Sequence, residues 1–281
     1  MKIGIVTCEK MPHLNPRENS LVECLRAEKF EVVPYVWSRP EHERKKYDVI
    51  LIRSPWDYFE RLEEFSAWLE RLPARRVFNP REILKWNLDK VYLRELESRG
   101  VRIVPTKWIR SATSQDLRQA IAFSGLNELV LKPTRSAAAF KTVRFKKTEL
   151  PEFGQFEGLS MMLQPMAREI LSEGEWSLIY FGGRFSHALL KRPASGDFRV
   201  QYLHGGTESR VVAPDAALLD FGSQVIEAVG TKLLYARVDF VRLEGVPHLM
   251  ELEVLEPDLF FHLDPEAPRR FVNVLNQFLA P

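Results

Sequence analysis

A chain of 281 residues with 45% hydrophobic and 28% charged side chains is long enough for two or three compact units and buries its core without disulfide staples. With 40 basic against 38 acidic residues the net charge is +2, which gives no footing for nucleic acid or for an anionic membrane surface. The apolar start KIGIVT is broken by Glu9 and Lys10, unlike a signal peptide, no run reaches the ~18 apolar residues of a spanning helix, and Cys8 and Cys24 have neither metal nor redox spacing, so a cytoplasmic protein with free thiols is expected.

Residues 2–7 predict a buried strand, and residues 16–29 a helix with Leu21, Val22 and Leu25 on one face. Residues 31–37 predict a second strand, at an edge or with a bulge, because Pro34 has no N–H for the ladder. The run DVILI at 48–52 is apolar throughout, as a parallel strand covered on both faces must be. A helix over 60–72 and a short strand at Val77–Phe78 complete a βαβ-type unit. Asn87 or Asp89 can cap a helix running to Arg99, with Gly100 as its stop.

The pattern then changes. A helix from Thr113 to Ser124 is surrounded by strands at 128–132, 141–145 and 160–164. Two hairpins follow, over 176–190 around Gly182-Gly183 and over 235–254 around Gly245, with a helix at 215–229 between them and a last helix at 266–279. The expected class is therefore parallel α/β followed by antiparallel α+β, without internal repeats.

The second hairpin carries acids. In HLMELEVLE strand alternation puts Glu251 and Glu253 on one face and Met250, Leu252 and Val254 on the other. A three-residue loop at Gly245–Pro247 sets Asp239 of ARVDFV opposite Glu253, on the same face. That clustering survives a register slip of two residues but not of one. Carboxylates ~4 Å apart repel by about 4 kcal/mol at an effective dielectric near ~20, so they call for protonation or a cation. All-oxygen ligands suit magnesium shared with phosphates; a solvated acidic face is the other reading. Cations end several apolar strands: Lys132 in LVLKP before the small-residue loop TRSAAA, and Lys191-Arg192 in SHALLKRP. Lys90 follows Asn87, and Arg199 precedes the Gly205-Gly206 turn. Each taken singly is as well explained by solvation; together with the acids they suggest a nucleotide-triphosphate–metal site.

Taken in order, these segments resemble the ATP-grasp superfamily, glutathione synthetases and the cycloserine-forming ATP-grasp enzymes in particular, over Asn79 to Pro257 and in two motifs. The motifs are Arg53-Ser54-Pro55-Trp56-Asp57-Tyr58 and Glu251-Leu252-Glu253-Val254-Leu255-Glu256-Pro257. The resemblance implies an ATP-grasp architecture: an N-terminal parallel α/β domain (1–105), a lid subdomain (106–166) and a C-terminal subdomain with the metal site (167–281), the last two clasping ATP. It implies that Lys90, Lys132 and Ser136 lie on the phosphates, that Gln164, Pro165, Met166 and Ala167 edge the adenine, and that Glu175 holds the ribose. Lys191, Arg199 and Gln201 correspond to groups on the transferred phosphoryl and the acyl phosphate, Gly205 and Gly206 to the Gly-Gly pair beside them, and Asp239, Glu251 and Glu253 to ligands of magnesium, two ions in all. Three positions depart from the family pattern: Ser136-Ala137-Ala138-Ala139 replaces a glycine-rich loop, and Gln201 and Glu253 each replace an asparagine.

The implied activity is ATP-dependent activation of a small, amino-acid-like carboxylate as an acyl phosphate for attack by a nitrogen nucleophile. Addition of amino acids to a peptide or protein terminus, and nucleotide binding without catalysis, are the competing readings. Arg53 stands at the carboxyl end of DVILI, where ligands of open parallel sheets collect, so it can clamp a substrate carboxylate with Trp56, Asp57 and Tyr58 around it. The competing reading there is that Arg53 pairs with a nearby acid and Trp56 is core. The oligomeric state is left open, a homodimer being one option.

Overall fold

The computed structural model describes residues 1–43, 46–73, 77–137 and 139–280. Ala138 of the alanine-rich loop lies outside the described residues. The first sheet is parallel, in the order β2-β1-β3-β4: β1 (Lys2–Thr7), β2 (Glu31–Val36), β3 (Val49–Ser54) and β4 (Val77–Phe78). Pro34 sits on edge strand β2, where its missing N–H costs no central ladder bond. The helices of this part are α1 (Asn19–Ala27), the short α2 (Pro40–Glu43) and α3 (Leu62–Arg71). The helix expected from residue 16 begins as a 3-10 turn over Pro16–Glu18 capped by Asn15, and the α-helix proper runs only to Ala27.

The helix expected to run to Arg99 from a cap at Asn87 or Asp89 forms as α5 (Tyr92–Ser98); a helix that was not expected, α4 (Arg81–Asn87), precedes it, and the chain breaks between the two. The break has a local cause: Asp89 accepts from the Val91 N–H, and the Lys90 N–H donates to Thr134 O, outside either helix. Gly100, with φ of 90°, lies just past the end of α5 as expected.

The second sheet is antiparallel, in the order β5-β8-β6-β7: β5 (Lys107–Ile109), β6 (Glu128–Pro133), β7 (Val143–Lys146) and β8 (Met161–Pro165). It is backed by α6 (Ser114–Ala122), whose N-terminus carries a Thr113–Asp116 capping box. After the short α7 (Glu169–Ser172) comes the third sheet, β11-β10-β9-β12-β13, built from β9 (Glu175–Phe181), β10 (Arg184–Arg192), β11 (Thr207–Val211), β12 (Tyr235–Leu243) and β13 (Val246–Glu253). Helices α8 (Ala216–Val229) and α9 (Ala267–Leu279) complete the chain. One face of this sheet packs against α5 and α8 through Leu178, Val238, Leu93 and Val225. Elsewhere Ile179, Phe181 and Tyr235 join Ile3 and Ile5 of β1 and Phe271 of α9 in one apolar cluster, so the first and third sheets share a core.

The acidic hairpin departs from its expected register. Glu244 and Gly245 both have positive φ and form a two-residue turn between Leu243 and Val246, not the three-residue loop at Gly245–Pro247. With a one-residue bulge between Asp239 and Phe240, this turn sets Asp239 opposite Glu251 and Arg237 opposite Glu253. The bulge leaves Met250 without a cross-strand partner and only partly buried, while Leu249, Leu252 and Val254 enter the core.

Candidate functional site

The third sheet turns one charged face away from α5 and α8. Register brings Lys191 of β10 beside Glu175 of β9, and Asp239 of β12 between Ser177 of β9 and Glu251 of β13. The Lys191 ammonium lies 2.5 Å from Glu175 Oε1 and 3.1 Å from Asp239 Oδ1. Ser177 also donates to Asp239. Arg237 Nε is 2.9 Å from Asp239 Oδ2, and its NH2 donates to Glu253. On the far strand Lys90, projecting from the break between α4 and α5, lies 3.0 Å from Glu251 Oε1. The expected trio of acids is thus one face of one hairpin, with Arg237, Lys191 and Lys90 interleaved.

Burial raises the cost of charge here, and the neighbours decide which groups bear it. Burial pushes Asp239 up, but Arg237, Lys191 and the Ser177 hydroxyl outweigh it and hold the acid below its ordinary range. Glu175 is raised, because burial and the nearby Asp239 exceed what Lys191 returns. Glu253 is raised well above the ordinary range by burial and by Glu251, Asp239 and Glu256, against Arg237. Burial pushes Glu256 up to about 7, aided by Glu251 and resisted by the Tyr58 hydroxyl and Lys90. The site therefore holds more acid than its own cations neutralise. Lys132, on β6 of the facing sheet, shows the complement: burial and Lys90 lower its pKa against the pull of Glu251.

Among the described residues no three His, Cys, Asp or Glu side chains form a ready-made metal cage. Magnesium does not need one, since it binds through one or two carboxylates and completes its shell with water and phosphate oxygens. The donors fit that pattern: carboxylate oxygens only, Asp239 and Glu251 cross-strand neighbours, and residual negative charge around them.

The loop after β6 and the end of strand β8 also have defined contacts. Lys90 Nζ donates to Ser136 O at 2.5 Å, tying the loop after β6 to the acidic hairpin, and Arg135 pairs with Asp89 at 2.8 Å. Gln164 is buried and gives its amide to Thr106 at 2.7 Å; Pro165 ends β8, and Met166 and Ala167 are buried beyond it. Arg199 lies away from the acidic face in the contacts it makes: it forks onto Asp197, which it holds far below the carboxylate range. Gln201 keeps a buried Oε1 without a partner. Gly205 takes φ of 78°, and Gly206 approaches Val200 so closely that a Cβ would stand 2.1 Å from its carbonyl oxygen.

The segment expected to face a substrate is occupied internally. Arg53 is fully buried, with its Nε and NH2 on Glu18 at 3.2 and 2.8 Å and NH2 on Pro257 O at 2.9 Å. Its pairing with a nearby acid is the arrangement present here. Trp56 donates to Glu256 O at 3.1 Å, Asp57 accepts from Trp37 Nε1 at 2.6 Å, and Tyr58 is buried against Glu256. These side chains turn inward because Glu18 and the 256–257 carbonyls would otherwise be buried without partners.

Sequence reasoning missed Arg237, Ser177 and Glu256 as members of the site. Arg237 was within reach: it precedes Asp239 by two in ARVDFV and so shares its face. Ser177 likewise stands two residues from Glu175 on β9, and Glu256 lies within the Glu251–Pro257 motif, but cross-strand register and the chain's path beyond β13 are what bring them to the site.

Comparison with known proteins adds to this geometry. The family model of the N-terminal domain of D-cycloserine synthetase DcsG matches residues 3–79. The cycloserine biosynthesis protein DcsG of Streptomyces lavendulae is 28% identical over 268 residues, spanning 87% of this chain and 88% of that one. The crystal structure of D-cycloserine synthetase DcsG superposes with a TM-score of 0.84 at 24% identity, covering 100% of both chains. The ATP-grasp ligase PsnB, complexed with a minimal precursor, follows at 0.66 and 17%, covering 99% of this chain and 98% of its own. Over nearly its whole length, then, the chain has the fold of the ATP-grasp ligases and is similar in sequence to DcsG.

Proposed function

We propose that this protein is an ADP-forming carbon–nitrogen ligase or cyclase that activates the carboxylate of a small, amino-acid-like molecule as an acyl phosphate. The observation that carries the reading is the convergence of Lys90, Lys132 and Lys191 with Asp239 and Glu251 between the second and third sheets. Phosphoryl transfer needs positioning and charge neutralisation more than covalent help, and that is what lysines from two facing sheets supply.

In this reading Lys90 and Lys132 hold the triphosphate, and Lys90 exchanges Glu251 for a phosphate oxygen. Asp239, Glu251 and Glu253 would hold magnesium, which would supply positive charge against the phosphates. The substrate carboxylate oxygen attacks the γ-phosphorus, and ADP leaves with the bridging oxygen. A nitrogen nucleophile then attacks the acyl carbon, phosphate departs with the C–O electron pair, and the nitrogen loses a proton. Lys191, beside Asp239, steadies the transferred group, and the loop from Arg135 to Phe140 keeps water from the acyl phosphate. Arg199 and Gln201 join once Arg199 leaves Asp197, and residues 1–105, 106–166 and 167–281 act as substrate side, lid and metal side.

Hydroxylamine tests the reading. The protein, ATP, magnesium and a panel of amino acids with their ureido and peptide derivatives should yield a hydroxamate and phosphate with one acid and only when ATP is present. Glu251→Gln should abolish magnesium-dependent ATP turnover while circular dichroism stays native. Wild-type turnover from that variant removes Glu251 from the mechanism.

A further inference from the structure

Strand β13 carries Glu251 and Glu253, yet it is the edge of its sheet, and beyond Glu253 the chain has no strand partner. The carbonyls of Leu252 and, past the end of the strand, of residues 254–257 are nonetheless taken by side chains. Asn87 Nδ2 donates to Leu252 O at 2.7 Å and Asn79 Nδ2 to Val254 O at 2.8 Å. The Tyr235 hydroxyl lies 3.1 Å from Leu255 O. Trp56 Nε1 takes Glu256 O at 3.1 Å, and Arg53 NH2 takes Pro257 O at 2.9 Å. The Glu256 carboxylate, buried, is held by the Tyr58 hydroxyl. Most of these donors come from residues 53–87, outside the sheet that bears the acids. A strand edge left to itself frays; this one is fixed from outside.

We propose that Trp56 and Tyr58 are positioning residues for the divalent cation: they clamp Glu256 and its carbonyl, and so set where Glu251 and Glu253 stand on the strand that leads into that turn. Neither touches the cation or the nucleotide. Partners one step removed from a metal's ligands commonly govern its affinity 10–100-fold when they are lost. The inference rests on the magnesium–nucleotide reading above, and it gives the RSPWDY segment a duty toward the cation in place of the substrate contact that its sequence suggested.

The test uses the full chain with a non-hydrolysable ATP analogue, titrated calorimetrically with magnesium and with manganese. Tyr58→Phe removes one hydroxyl, and Trp56→Phe removes one N–H while keeping a ring. Each should weaken cation affinity at least about tenfold, leave affinity for the analogue without cation unchanged, and shift the melting curve little. In turnover assays excess magnesium should restore the rate, a rescue that a general loss of structure would not permit. Should Tyr58→Phe fold poorly, Trp56→Phe carries the same expectation alone. Cation affinity within twofold of wild type overturns the inference, whatever happens to stability. A wild-type protein that takes up no cation with the analogue overturns the functional reading and this inference with it, which separates the two failures.

Discussion

His187 on β10 lies with Nε2 3.0 Å from Leu259 O and Nδ1 3.0 Å from Ser186 Oγ. A carbonyl can only accept, so Nε2 carries the proton and the ring is neutral. Burial pulls its pKa down to about 4, helped by Arg270 and Arg210 and resisted by Asp264 and the Leu259 carbonyl. As pH falls from about 6.5 to about 4 the unfolded chain takes up a proton that the folded chain refuses, so stability present above that window drains through it, by about 3 kcal/mol in all. Urea unfolding at pH 7 and at pH 4.5 should show the loss, and His187→Phe should flatten that part of the profile. An unchanged slope in the variant assigns the loss to another group. At this scale the acids and lysines were legible because charge types and period-two spacing mark them. Their partners were not: nothing in the sequence says that Glu18 would claim Arg53, since that pair is made across 35 residues of chain.

The elements show where local pattern runs out. Alternation alone placed Asp239, Glu251 and Glu253 on one face, but the turn and the bulge set the register together: the Glu244-Gly245 turn alone would set Asp239 opposite Met250, and the bulge moves it to Glu251, leaving Arg237 opposite Glu253. The cap before α5 was legible at Asn87 or Asp89, whereas α4 was not, and the bond from Lys90 N to Thr134 O, just past β6, fixes the break between them. Three-residue β5 was too short for any period to register, and β11, TESRV, lacks an apolar face. The loop between β10 and β11 depends on Gly206 for close approach: an alanine there would put Cβ 2.1 Å from Val200 O and 2.5 Å from its carbonyl carbon. Gly206→Ala should displace this loop and lower kcat at least about tenfold, the cost of a lost catalytic contact of about 1.4 kcal/mol, with melting nearly unchanged. Full turnover in that variant takes the loop out of the reaction.

Across the whole molecule the first and third sheets are joined more closely than a linker would join them. Residues 102–104 pair with Leu249 on the outer edge of β13, and Asn79 spans β12 and the chain after β13, taking Tyr235 O and Val254 O and receiving Leu234 N. Asn79→Ala leaves buried backbone groups unpaired, at about 1–3 kcal/mol each. A single cooperative transition lowered by on the order of 10 °C is expected in calorimetry. Two separated transitions, or none displaced, would mean that the sheets unfold independently. The succession of α/β and α+β was readable from the changing period along the chain, whereas the shared core of Ile3, Ile179 and Phe271 was not, because it joins segments far apart in sequence.

The side chains that close the outer edge of β13 also bear on solubility. An acidic hairpin ending in an open edge offers N–H and C=O groups to any extended chain, a second copy included. The Asn87 amide takes Leu252 O and residues 102–104 take Leu249, which leaves less of that edge for a neighbour to template on. The contacts that hold the acidic strand in place are thus also contacts that close part of its edge to strand addition.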